Sequence, residues 1–239
     1  MKILRYEKIF NRLKFFILGM KFSFILESAR KNYYVSLGSN CFSRFKLTTV
    51  GLKAKRKNGE LSCPFDLCVT PITSTAKILS NDFDDYFDDL SFDENRQMWF
   101  NNKYKIEYLH DDNLTKEEFI SRYKKRIENF KNIISSKPEV MFVLVDFNRD
   151  YSVEDINVIY NYMLCLRNDK PFKFMLISFV DEDSPKLSTS DLNKNILYKE
   201  YKTDTSVNKF HETWHNSYDD THQLIAKPLK DIYKYSNLK

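Results

Sequence analysis

Glycine is scarce in this chain, with only 4 among 239 residues. These glycines form neither a G-x-G-x-x-G run nor a Walker pattern, the two motifs in which glycine lets the backbone approach a phosphate group closely. A nucleotide-dependent enzyme of either kind is therefore disfavoured, and we expect no cofactor.

The chain also has few cysteines and only a small excess of charge of one sign. Its four cysteines lack the density of a disulfide scaffold, which suits a reducing compartment such as the cytoplasm. Cys63 and Cys68 have no second Cys or His pair at ligand spacing, so no metal site is predicted. The 38 basic residues nearly balance the 33 acidic ones, and without a clustered basic face we expect no nucleic-acid partner.

What is present is the composition of a folded domain, 42% hydrophobic and 30% charged. One core is enough for this length, so we predict a single α/β domain over residues 33–239 and a separate extension over residues 1–32. The extension combines basic residues with an apolar run over 15–20, which predicts a basic amphipathic helix. Lys21 ends that run short of the about 20 apolar residues of a transmembrane helix. The predicted helix either packs on the domain or contacts an anionic membrane surface peripherally.

Beyond the extension, short apolar runs alternate with stretches of helical periodicity. A β-prone run begins at Tyr33 and ends in turn residues, and further strands are predicted at 140–147, 172–180 and 196–201. Helices are predicted at 42–50, 115–135 and 152–167, the second opened by a capping box of Thr115 and Glu118. This alternation predicts a mostly parallel sheet flanked by helices.

The segment at residues 81–95 is acidic and carries aromatic residues at helix-like intervals. It lacks the central glycine of a calcium-binding loop. We therefore predict an amphipathic helix there, with a buried aromatic stripe and a solvated acidic face.

Cys41 follows directly on the first predicted strand of the domain. In parallel α/β sheets, ligands bind beyond the carboxyl ends of the strands. Amide N–H groups at the start of the next helix would lower the pKa of a thiol there and stabilise an oxyanion. We therefore predict that Cys41 is a nucleophile that ionises readily, with a small buried hydrophobic residue as the alternative. The other cysteines are expected to be buried and less ionised: Cys63, Cys68 and Cys165.

Several short motifs around Cys41 occur in a recognisable order. They are Ser36-Leu37-Gly38-Ser39-Asn40-Cys41, Gly51-Leu52, Cys63-Pro64-Phe65-Asp66 and Leu109-His110-Asp111. In this order they resemble the signature of the papain-like cysteine peptidases of bacteria and large viruses, over roughly Tyr33 to Asp146. The resemblance implies a cysteine hydrolase with Cys41 as nucleophile and His110 as base. Leu67 and Asp112 depart from it, because the family has aromatic residues at those two places.

Two further assignments complete this predicted site. Asp66 is the best candidate to orient the imidazole of the base, and a helix N-cap or turn is its alternative role. The residues predicted to line the substrate site are Gly38, Ser39, Asn40 and Phe65.

A second base competes with His110 near the C-terminus. The spacing of Asp219 and His222 is similar to the closing motif of SGNH-type hydrolases, whose nucleophile follows the first strand of a flavodoxin-like, three-layer sheet. Cys41 occupies the corresponding place, with Cys instead of the usual Ser. The alternative is an ordinary amphipathic terminal helix with His222 facing solvent.

These patterns predict a cysteine-dependent hydrolase or acyl transferase, peptidase-like in its Cys and His pairing, with a peptide, ester or glycan-linked substrate. The alternative is a non-catalytic binding or structural module linked to surface-polysaccharide or membrane processes. Cys41 in a cleft within reach of a histidine would favour the enzyme, whereas Cys41 buried away from every histidine would favour the module.

Overall fold

The computed structural model describes residues 4–9, 12–17, 20–25, 32–49, 52–53, 61–147, 151–182, 184–185 and 187–202. The predicted alternative base His222, its partner Asp219 and the predicted terminal helix lie outside these residues.

The first described residues form a three-stranded antiparallel sheet where a helix was predicted. Its strands are β1 (Leu4–Ile9), β2 (Arg12–Ile17) and β3 (Met20–Ile25), in the order β1-β2-β3. The helix predicted for residues 1–32 is thus corrected for this part of the chain. These strands are rich in Phe and Ile, and such side chains favour extended backbone. A contact between this extension and a membrane stays a prediction.

The remaining elements belong to the predicted α/β domain. Its strands are β4 (Tyr33–Ser36), β5 (Leu90–Asp93), β6 (Met98–Asn101), β7 (Ile106–Tyr108), β8 (Val140–Asp146), β9 (Phe172–Val180) and β10 (Ile196–Lys202). Its helices are α1 (Phe42–Thr49), α2 (Ile72–Ser80), α3 (Lys116–Ser135) and α4 (Val153–Arg167). No described helix is long and apolar enough to cross a membrane.

The predicted parallel sheet is confirmed. Four strands pair in parallel in the order β10-β9-β8-β4. Every residue of β8 is buried, as expected for a parallel strand covered on both faces. Among the described strands β4 lies at the edge of the sheet, whereas the flavodoxin order places the first strand inside it.

The sheet separates two hydrophobic cores, which confirms the three-layer arrangement. Phe142 and Leu144 of β8 belong to the core formed with α2, α3 and α4. Met141 and Val143 alternate with them and belong to the second core, which contains Phe42 of α1. Consecutive residues of a strand point to opposite faces, so each core is built from every second residue.

The helix predicted at 81–95 is wrong. Residues 81–89 form successive turns, and β5 follows as the edge of a three-stranded antiparallel sheet with β6 and β7. Asp82, Phe83 and Asp89 have positive φ angles of 50°, 68° and 55°, which a right-handed helix does not allow. The predicted burial of aromatic side chains is confirmed for Phe83 and Tyr86.

The capping box that opens α3 is confirmed. The side chain of Thr115 accepts a hydrogen bond from the N–H of Glu118 at 3.3 Å, and the N–H of Thr115 donates to Glu118 Oε2 at 2.9 Å. Two orphan N–H groups of the helix start are satisfied in this way. The helix start is thereby fixed a few residues after the turn that carries His110.

Candidate active site

The chain leaves β4 through a sharp turn that ends at Cys41. Gly38 adopts φ +102°, a conformation that side chains of L-residues rarely tolerate. A Cβ atom at Gly38 would lie 3.7 Å from the carbonyl oxygen of Thr70 and 3.9 Å from Oγ1 of Thr75, both ordinary contact distances. Backbone conformation, and not lack of space, therefore makes glycine necessary here.

Hydrogen bonds fix this turn against β8. The N–H of Ser39 donates to the carbonyl of Val145 at 2.8 Å, and the N–H of Val145 donates to the carbonyl of Gly38 at 3.2 Å. Asn40 Oδ1 accepts from the N–H of Phe42 at 2.9 Å, which satisfies a donor at the start of α1. These groups of Gly38, Ser39 and Asn40, residues predicted to line the substrate site, hold the turn in place.

Cys41 is largely buried, with 7% of its surface exposed, and it packs in the same core as Phe42 and Leu47. Burial raises the pKa of the Cys41 thiol, and the residue's own N–H group opposes this shift only in part. The prediction that Cys41 ionises readily is therefore wrong for the protein without substrate. The loss of hydration outweighs the favourable position at the start of a helix.

Asp66 belongs to a buried cluster of charged side chains next to α1. Its carboxylate accepts from Lys53 Nζ at 2.7 and 2.8 Å and from the N–H of Cys63 at 2.8 Å. Arg44 of α1 approaches the same carboxylate, with Nε 3.6 Å from Oδ2. Within the described ranges no histidine contacts Asp66. The carboxylate thus connects the Cys63–Asp66 turn to the helix that begins after Cys41.

His110 lies on an exposed turn after β7. Two isolated antiparallel bridges link β7 to the turn that carries Cys41, and they join Val69 to Glu107 and Thr70 to Ser39. Among the residues that the structure describes, His110 makes no hydrogen bond with Cys41. The two predicted catalytic residues are thus connected through neighbouring backbone segments, without direct contact.

The neighbour of His110 points into the protein. Asp111 is fully buried and accepts hydrogen bonds from Tyr123 Oη at 2.9 Å and from Arg126 at 3.2 Å. Arg122, also on α3, forms an ion pair with it. Asp111 therefore anchors the His110 turn to α3.

Phe65, predicted to contact substrate, is a core residue. It is fully buried, and its ring centroid lies 5.9 Å from that of Phe83 and 6.1 Å from that of Phe130. Cys63 and Cys68 are buried as predicted. Burial raises the pKa of Cys68 to about 12.

Residues 32–182 match the family described as "Putative papain-like cysteine peptidase". The chain belongs to this family. The match contains Cys41, Asp66 and His110, and it extends past the resemblance seen in the sequence to the end of β9. No curated protein and no solved structure gives a significant match.

The fold of this family member is an α/β parallel sheet, whereas papain itself pairs a helical lobe with an antiparallel barrel. The family description therefore does not extend to papain's architecture, since one chemistry can recur on unrelated folds. Within the described ranges no group of three or more His, Cys, Asp or Glu side chains is placed to hold a metal ion.

The family domain also contains buried polar residues that the sequence analysis did not single out. Asp146 and Ser178 are register partners at the carboxyl ends of β8 and β9, and both are buried. The hydroxyl of Tyr151 lies 3.0 Å from Ser178 Oγ. The sequence did contain a signal, because Asp146 directly ends an apolar run at the edge where ligands bind.

Cys165 is exposed near the end of α4, so its predicted burial is wrong. The last turn of α4 carries apolar residues on several sides, and Leu164 and Leu166 are exposed too. Arg167 takes the buried position instead. An apolar neighbourhood in the sequence thus failed to identify the buried face.

These environments reverse the order of alkylation expected from the sequence. We expect iodoacetamide to modify Cys165 first in the native protein, Cys41 more slowly and Cys68 last. The reason is that only the thiolate reacts, and burial raises the pKa of Cys41 and Cys68.

Peptide mass measurements on each cysteine across a pH series check this order. Because the pKa of Cys41 is raised, its labelling rate should still be increasing with pH above about 8.5, the usual thiol pKa. A Cys41 that labels faster than Cys165 at neutral pH would contradict the burial argument. The denatured protein, in which all four cysteines should react alike, is the control.

Proposed function

We propose that this domain is a cysteine-dependent hydrolase or acyl transferase in which Cys41 attacks a carbonyl carbon. The observation that carries the proposal is the place of Cys41, between the carboxyl end of β4 and the start of α1, inside the matched family region. Ligands of parallel α/β sheets bind at this edge.

Backbone donors at the start of α1 support the same assignment. Within the described part of the chain, no other residue accepts a hydrogen bond from the N–H groups of Cys41 and Ser43. In the proposed reaction these two groups donate to the carbonyl oxygen as it gains negative charge. The first turn of α1 contains no acidic residue that would repel this charge.

The raised pKa of Cys41 indicates how the thiol is activated. The raised pKa disfavours a thiolate that is present before substrate binds. A histidine must therefore accept the thiol proton as the sulfur–carbon bond forms. The same histidine then protonates the leaving group as the carbonyl–heteroatom bond breaks. His110 is the proposed base because it lies in the matched region, and His222 with Asp219 is the alternative. In this proposal Asp66 is a positioning residue, because its contact with Arg44 holds α1 in place.

A non-catalytic module is the second candidate. The burial of Cys41 in an apolar core favours it, as does the lack of a hydrogen bond between Cys41 and His110 in the described structure. The two candidates differ in whether Cys41 forms a covalent acyl intermediate.

Acylation by p-nitrophenyl acetate tests the proposal. We expect a burst of p-nitrophenolate and an acetyl group on the Cys41 peptide, measured in a Cys165→Ser background so that the exposed thiol does not contribute. His110→Ala should slow acylation by about 10²–10⁴-fold, the usual contribution of a general base. His222→Ala is the matched comparison.

The outcomes separate the candidates. If Cys41 is acetylated no faster than the buried Cys68, the domain is a module and the proposal is wrong. If only His222→Ala slows acylation, Cys41 is still the nucleophile but His110 is not the base. Peptide, ester and glycan-linked ester probes then compare the three substrate classes on the same thiol.

A further inference from the structure

Thr75 carries a buried hydroxyl group that has no hydrogen-bond partner in the described structure. The residue is fully buried in the first turn of α2. Buried hydroxyl groups in proteins are nearly always hydrogen-bonded, and an exception calls for an explanation. The position of this hydroxyl next to the Cys41 turn suggests a ligand as its missing partner.

The hydroxyl of Thr75 faces the turn that carries Cys41. Its Oγ1 atom would lie 3.9 Å from a Cβ atom built on Gly38, so the missing side chain of Gly38 leaves the hydroxyl next to the turn backbone. The N–H of Thr70 donates to the carbonyl of Ser39 at 2.7 Å, which holds the start of α2 against this turn. The hydroxyl of Thr70 is already engaged, at 3.1 Å from the Sγ atom of Cys68.

We propose that the Thr75 hydroxyl is an additional hydrogen-bond donor of the Cys41 site and binds the carbonyl oxygen of the acyl group during its transfer. This inference rests on the proposed function. The start of α2 has Pro71 at its N-cap without a side-chain cap, and its first turn contains no acidic residue. The positive end of the helix dipole therefore favours the negative charge that develops on the oxygen.

The chemical step is balanced without another reactant. The Cys41 sulfur forms a bond to the carbonyl carbon as its S–H bond breaks, the thiol proton passes to the histidine base, and the electron pair of the C=O π bond moves to the oxygen. That oxygen accepts hydrogen bonds from Thr75 and from the N–H donors of the α1 start. The pair then returns as the bond to the leaving group breaks, and p-nitrophenolate departs when p-nitrophenyl acetate is the probe.

Two electrophiles separate this role from a general effect on the thiol. p-Nitrophenyl acetate reacts through an oxyanion, whereas methyl methanethiosulfonate reacts by displacement at sulfur and forms none. In the Cys165→Ser background, we expect Thr75→Val to slow acylation of Cys41 by about 10²–10³-fold, the usual loss for one oxyanion donor. The rate with the thiosulfonate should not change, and Thr75→Ser should restore acylation.

Thermal melting provides a readout that does not depend on activity. Since the hydroxyl makes no hydrogen bond to any described residue, Thr75→Val should melt at the same temperature as the parent protein or higher. Thr73→Val, two residues away on α2 and half-buried, is the matched control and should leave both reactions unchanged.

Each other result overturns the inference. Equal slowing of both electrophiles by Thr75→Val would mean that Thr75 only positions the thiol. No change in either rate would mean that the hydroxyl has no role. A lower melting temperature with unchanged acylation would assign it a structural partner instead. A parent protein in which the thiosulfonate modifies Cys41 but the acetate does not would overturn the proposed function, and this inference with it.

Discussion

Replacing Asp66 by alanine is expected to lower the free energy of unfolding by about 3–5 kcal/mol, because it removes the buried carboxylate that two buried cations share. The side chains of Lys53 and Arg44 are only 4% and 10% exposed, so water cannot replace Asp66 as their partner. The N–H of Cys63 loses its acceptor as well. Urea unfolding followed by fluorescence measures the change.

A surface ion pair provides the control for Asp66. Lys125 and Glu128 of α3 also form an ion pair, at 2.7 Å, but their side chains are 63% and 57% exposed. Glu128→Ala should therefore cost at most about 1 kcal/mol. If Asp66→Ala were as stable as the parent and lost only acylation of Cys41, the residue would act on the catalytic histidine, as the sequence suggested.

Arg167→Met should destabilise the protein by a similar amount, about 3–5 kcal/mol, although no carboxylate pairs with this arginine in the described structure. The guanidinium is fully buried and donates to four carbonyl groups, at 2.7–2.9 Å. Two of these belong to Ile134 and Ser136 at the end of α3, and the others to Pro138 and Pro171 before β8 and β9. Methionine fills the space but removes the arginine donor from all four carbonyls, of which that of Pro171 also accepts from the N–H of Val140 at 3.3 Å.

Arg167→Lys distinguishes hydrogen bonding from charge. Lysine keeps the charge near the carboxyl end of α3 but cannot reach four carbonyls with a planar fork, so most of the stability should still be lost. Arg96→Met is the control, because the Arg96 side chain is 51% exposed and pairs with Glu107 at the surface. A loss within about 0.5 kcal/mol for Arg167→Met would show that solvent or a rearranged chain satisfies the carbonyls.

The parallel sheet could be predicted from the sequence because its strands are continuous apolar runs. Such runs are too short for buried helices and occur between helical segments. Few folds other than a parallel α/β sheet are consistent with this pattern. The capping box of α3 was equally local, since Thr115 and Glu118 are three residues apart. The position of Cys41 at the end of β4 followed from the same reasoning.

The environment of the candidate site could not be predicted in the same way. Asp66 interacts with Lys53 and Arg44 through the folded chain, and no local pattern announces a buried charge cluster. The burial of Cys41, which reverses the direction of its pKa shift, depends on how α1 packs on the sheet. The helical spacing of aromatic residues at 81–89 also gave a wrong prediction, because this segment contains positive φ angles that a helix does not allow.

The hydrogen bonds between Ser39 and Val145 have a consequence for the order in which the protein folds. They join residues that are 106 positions apart, and among the described strands β4 pairs only with β8. Contacts of such long range form slowly, because a large loop must close before they contribute. During synthesis the ribosome must release β8 before β4 can join the sheet. Until then the thiol of Cys41 lacks its buried environment, so the nascent chain exposes a reactive group that the finished protein covers.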